Sequence, residues 1–145
     1  MSAPLRGELR YGSELARLLA DERFRRLTRA DEPRPVLLIP GFLAGDTSLT
    51  VLAGWLRRRG HEVRGSGMWV CTAFRASLEA PLAPGMPTLA VHSRSDGIVD
   101  WRACLDPYAE CVEIDGSHCG MAVNAGVYRE LEPLLERTEA VACSR

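Results

Sequence analysis

The 145-residue chain reads as one α/β domain, a reduced parallel sheet flanked by helices. Three observations predict this. The apolar runs PVLLI, TLAVH and ECVEI are short and bounded by turn residues, the pattern of strands buried in a parallel sheet. Segments with apolar residues at helical spacing alternate with them. The composition, 46% hydrophobic and 26% charged, is that of a chain able to bury a core.

The elements follow in order. Leu15, Leu18, Leu19 and Leu27 recur on one face of a helix over 13–29, with Ser13 as its cap. Pro33 and Pro35 end it in a linker. The first strand covers 36–39. A helix over 47–59 carries Leu49, Leu52, Trp55 and Leu56 on its buried stripe, and Gly60 stops it. A second strand covers 61–64. After a break at 65–68 come a short helix over 74–79 and a proline-rich loop over 81–87. Strands at 88–92 and 110–114 follow. A helix over 121–138 closes the chain, with Val123, Val127, Leu131 and Leu134 on one stripe and a kink at Pro133. The domain divides into a helix and linker (1–34), a strand–helix–strand unit (35–69) and a C-terminal unit (70–145).

Charge and composition exclude several partners. The net charge of −1 offers no basic field for nucleic acid or anionic lipid. All 18 basic residues are arginine, so neither a Schiff-base lysine nor a P-loop lysine exists. No apolar run approaches the ~20 residues of a membrane span. No apolar stretch precedes the first charges, so the expected location is the cytoplasm. The five cysteines are odd in number and show no C-x-x-C spacing. They read as thiols, with a Cys104–Cys119 disulfide or metal ligation as alternatives.

Ligands of open parallel sheets bind beyond the carboxyl ends of the strands. Three such loops carry the polar residues: 40–45, 93–99 and 115–121. Asp96 and His118 each follow a strand by four residues. A carboxylate beside an imidazole fixes its tautomer and stabilises the imidazolium, as a general base requires. Taken singly, Asp96-Gly97 reads as a turn and His118 as a helix cap.

Here the sequence resembles the α/β-hydrolase family, in its lipase and esterase branch. PVLLIPGFLAG (35–45) is similar to the oxyanion strand and loop, HSRSDGIVDW (92–101) to the acid segment and IDGSHCGMAVN (114–124) to the histidine segment. The resemblance covers 35–69 and 71–137. It implies Asp96 as triad acid, His118 as triad base and the Phe42 backbone N–H as an oxyanion donor. Family order puts a G-x-S-x-G nucleophile elbow before the acid, and nothing here matches it. The chain passes near 70–71 from the second strand straight to the segment before the acid. Such a deletion exposes apolar sheet edges, so a homodimer is expected.

Three readings fill the gap left by the serine. In the leading one, a divalent metal such as zinc, held by His92, Asp96 and His118, activates water for attack on an ester or phosphoester. In the second, Cys71 or Cys119 attacks as a thiolate. In the third, the chain is a non-catalytic, oligomerising remnant. Ser66, Ser93, Ser95 and Ser117 sit on no evident elbow, and His61 lies at the opposite strand end. Arg94 either clamps an anionic substrate or makes a salt bridge. Phe42, Trp69, Phe74, Trp101 and Tyr108 read chiefly as core.

Overall fold

The computed structural model describes residues 10–26, 28–71 and 86–137. The expected helix over 74–79, most of the loop over 81–87, and Cys143 lie outside them. The described chain is a mixed helix and strand structure. Its elements are α1 (Tyr11–Ala20), α2 (Glu22–Arg25), β1 (Pro35–Leu38), α3 (Thr50–Arg58), β2 (Glu62–Gly65), β3 (Leu89–His92), β4 (Glu110–Glu113) and α4 (Ala125–Arg137). Single 3₁₀ turns at Asp46–Leu49, Trp101–Cys104 and Met121–Val123 lead into or connect them.

The N-terminal helix is two helices. Asp21 is extended, and its carboxylate accepts the N–H groups of Arg23 and Phe24 at 2.9 and 3.4 Å. That N-cap starts a new turn where leucine periodicity alone would run through. Ser13 caps nothing: α1 begins at Tyr11, and the Ser13 hydroxyl donates to Arg10 O.

Among the described residues all strand pairing is parallel, with one crossover through α3 and the other through the turn at Trp101–Cys104. β1 pairs with β2 in register Val36 to Val63, and β3 with β4 in register Val91 to Val112. Among the described residues these form two separate two-stranded sheets, not one. The chain leaving β2 turns back onto the loop after β1. Leu43 N–H donates to Cys71 O and Cys71 N–H to Ala44 O, both at 2.7 Å, and Asp46 N–H donates to Met68 O at 3.0 Å. Only glycine fits at 45, where a Cβ would overlap the Trp69 carbonyl.

One core joins both sheets. Trp55, Leu18 and Leu56 are fully buried, and Val63, Ile114, Val123, Val127 and Leu131 pack with them. Phe24 and Trp55 each meet the Tyr128 ring edge-on, at 5.3 and 5.1 Å, the arrangement that aromatic quadrupoles favour. Trp69 and Tyr108, expected in the core, are exposed, Trp69 at 95%. No described helix is long and apolar enough to cross a membrane.

His61 lies buried at the start of β2, where its Nδ1 accepts the Arg34 N–H at 3.3 Å. Burial first, then the charges of Arg59 and Arg34, hold this imidazole below its ordinary value of 6.5. The folded state therefore binds the proton more weakly than the unfolded chain. Stability from this group is complete above that value and declines as pH falls through and below it. His61→Asn keeps an acceptor and removes the titration. In urea denaturation between about pH 8 and pH 5 the variant should lose less stability than the wild type. Parallel curves over that range would clear His61 of the effect.

Candidate active site

The three strand-exit loops meet. Asp96 leaves the loop after β3 and His118 the loop after β4. Their side chains are mostly buried, and His118 Nδ1 lies 2.7 Å from Asp96 Oδ2. The carboxylate is held on its other side: Oδ1 accepts the N–H groups of Ile98 and Val99 at 2.7 and 2.8 Å. The Asp96-Gly97 turn and the acid role are thus one local structure, since the turn's amides aim the free oxygen at the imidazole.

The loop after β1 supplies the third partner. His118 Nε2 lies 2.7 Å from the backbone oxygen of Phe42. A carbonyl oxygen only accepts, so Nε2 carries the proton here. Both ring nitrogens thus face oxygen atoms, Asp96 Oδ2 and Phe42 O. The nitrogen that would accept a nucleophile's proton is therefore occupied. The resemblance made Phe42 an N–H donor to substrate; the contact seen here runs through its carbonyl.

The histidine loop rests on side chains from far along the chain. Glu14 of α1 is buried and accepts both the N–H and the O–H of Ser117, at 2.8 and 2.7 Å. Ser117 is fully buried and its Oγ accepts Gly120 N–H at 3.1 Å. Arg10 forks onto Asp115 at 3.3 and 3.1 Å, and Ser95 donates to Asp115 at 2.6 Å. These bonds, Arg10's foremost, hold the Asp115 carboxyl below the usual carboxylate range. Ser93 Oγ accepts Gly116 N–H at 3.2 Å, joining the acid and histidine loops. Ser66, Ser93, Ser95 and Ser117 are thus all scaffold hydroxyls, Ser66 through its 2.8 Å bond to Asp46.

Glu14 went unread in the sequence because a single glutamate in an amphipathic helix looks solvated. Its one signal is that Glu14 and Leu18 share the buried face at i, i+4.

The remaining candidates fall as follows. His92 is buried, stacks on Trp101 at 5.9 Å, and its Nδ1 has no hydrogen-bond partner among the described residues. Among the described residues no group of three or more His, Cys, Asp or Glu side chains that could hold a metal ion is found. Cys71 is buried and its backbone brackets Leu43 and Ala44. Cys119 is exposed, and no disulfide joins it to Cys104. Burial first, then the charges of Asp96 and Asp100, push the Cys104 thiol up. Arg94 pairs with Glu113 at 3.1 Å and covers the Trp101 ring at 4.6 Å, the salt-bridge alternative. An open cleft of about 320 Å³ lies elsewhere, between α3 and β2, lined by Leu38, Ala53, Arg57 and Val63.

No protein-family model, curated protein or solved structure matches the chain.

Proposed function

We propose that the chain is a hydrolase of ester or phosphoester bonds, derived from an α/β-hydrolase and lacking its nucleophile elbow, with His118 as general base and Asp96 as the residue that orients it. One observation carries this reading: the 2.7 Å contact between His118 Nδ1 and an Asp96 carboxylate already aimed by two backbone amides. Once Nε2 parts from the Phe42 carbonyl and releases its proton to solvent, it can take a proton from an attacking water. The water oxygen bonds to the acyl carbon, and the collapsing adduct expels an alcohol that recovers the proton from Nε2.

A second nucleophile is supported by a specific contact. Cys71 is hydrogen-bonded through its backbone to Leu43 and Ala44, next to Phe42. A thiol there would pass its proton to His118 and bond its sulfur to the acyl carbon; the alcohol leaves with that proton, and water then hydrolyses the thioester to the acid and the free thiol.

The reading also has two copies pairing. Leu37, Ile39, Leu43, Trp69 and Val70 are exposed apolar side chains on or near β1 and its exit loop, a cluster that association would cover.

The test is turnover of an aryl ester and an aryl phosphate by the purified chain, with and without chelator and thiol reagent, beside His118→Ala. His118→Ala should lose about 10²–10⁴ of the rate. Sensitivity to thiol reagent alone selects a cysteine nucleophile, Cys71 or Cys119, and chelator sensitivity selects metal-activated water. Turnover that survives His118→Ala, or none at all, removes the hydrolase. Sedimentation of the same sample should give a dimer; a monodisperse monomer ends that part.

A further inference from the structure

We propose that the Phe42–Leu43 peptide has two working positions, and that turning it frees His118 Nε2 and makes the Leu43 N–H an anion-stabilising donor to the substrate. This rests on the hydrolase reading for the substrate's identity, but not for the motion itself.

Residues 41–44 form a β-turn closed by Ala44 N–H donating to Gly41 O at 3.0 Å. Its third residue, Leu43, has φ +59° and is the single described non-glycine residue with positive φ. Positive φ at the third position, after a residue of ordinary negative φ, marks a type II turn, which favours glycine there. A leucine in that position is strained. Rotating the central peptide by half a turn converts type II to type I, which accepts any residue and keeps the closing hydrogen bond. Leu43 would then return to negative φ.

Two contacts hold the strained form, and both act on that one peptide. Its carbonyl, Phe42 O, accepts from His118 Nε2 at 2.7 Å. Its N–H, from Leu43, donates to Cys71 O at 2.7 Å. Rotation exchanges the two ends. The acceptor leaves the histidine, and an N–H takes its place on the side of the site. That replaces a group repelling negative charge with one that binds it, where an ester's carbonyl oxygen becomes an oxyanion. The base and the donor thus become competent in one movement, while the resting form holds the base idle.

Leu43 is more than half exposed, so substitution there removes little packing. Glycine relaxes the resting turn, and valine, β-branched, is strained further by positive φ. In protein labelled with ¹⁵N-histidine, the His118 signals are identified by their loss in His118→Ala, since the chain holds only three histidines. Leu43→Gly should raise the share of molecules with a proton on Nε2 and lower aryl-acetate turnover about fivefold; Leu43→Val should do the reverse by a similar factor. Leu43→Asn and Leu43→Ile repeat the contrast should either variant fail to fold. Ring-nitrogen signals that ignore residue 43, or move the same way in both variants, overturn the proposal. Turnover that needs His118 but ignores residue 43 overturns it and leaves the hydrolase standing. Opposite signal shifts without turnover in any variant support the two positions and overturn the donor role along with the hydrolase.

Discussion

Asp96→Asn is expected to lower kcat/KM for an aryl ester by a factor on the order of 10⁴ while leaving the fold in place. The asymmetry of the carboxylate dictates both halves of that result. Oδ1 holds the turn by accepting from Ile98 and Val99, and Oδ2 faces the imidazole. An asparagine keeps the turn by placing its own oxygen on the two amides. Its NH₂ group then points at His118 Nδ1 and donates. Nδ1 becomes the acceptor, the ring keeps its proton on Nε2, and Phe42 O accepts that N–H. The base is locked in the tautomer that cannot take a proton. The melting temperature should stay near the wild-type value. Asp96→Ala differs, since it strips the turn of its acceptor as well and should lower stability by about 1–2 kcal/mol. Turnover of Asp96→Asn within tenfold of wild type would mean that this pair does not drive the chemistry.

Several of these features were legible in the sequence for identifiable reasons. The four strands stand out because short apolar runs between prolines, glycines and charges have few other structures open to them. The Asp96 and His118 loops follow from those strand ends, and the four-residue offset brings the two side chains to one rim. What was not legible depends on partners that leave no local mark. The helix break at Asp21 competes with leucine spacing that continues across it, and only the cap decides. The pairing of strands in two separate sheets depends on where 66–71 turns, and the hydrogen bonds that direct it are backbone bonds available to any sequence. The Phe42 carbonyl on His118 is likewise a backbone group. His92, four residues before Asp96, reads as a metal ligand by spacing, yet its ring is stacked on Trp101. The partner of Glu14, Ser117, is 103 positions away, beyond the reach of any periodicity.

Glu14→Ala is expected to destabilise the fold by about 2–4 kcal/mol and to loosen the loop that carries His118. Two effects oppose each other. Removing the carboxylate relieves the cost of burying a charge whose nearest cation, Arg10, stands 3.9 Å off. It also leaves the Ser117 amide and hydroxyl without their acceptor in a residue that no water reaches. Each buried donor left unpaired costs about 1–3 kcal/mol, and two such losses exceed the relief. Glu14→Gln should cost about half as much, since one oxygen still accepts while the amide turns to the Ser117 oxygen. The packing provides an independent check. A methyl at Gly120 would overlap the Glu14 carboxylate and crowd Ser117 Oγ, so Gly120→Ala should be destabilising too. With Glu14 cut back to alanine the methyl gains room, and the double variant should lose less than the sum of the two single losses by more than about 0.5 kcal/mol. Urea denaturation of the four proteins gives the cycle. Additive losses, or a Glu14→Ala cost below about 0.5 kcal/mol, would show that α1 does not brace the histidine loop.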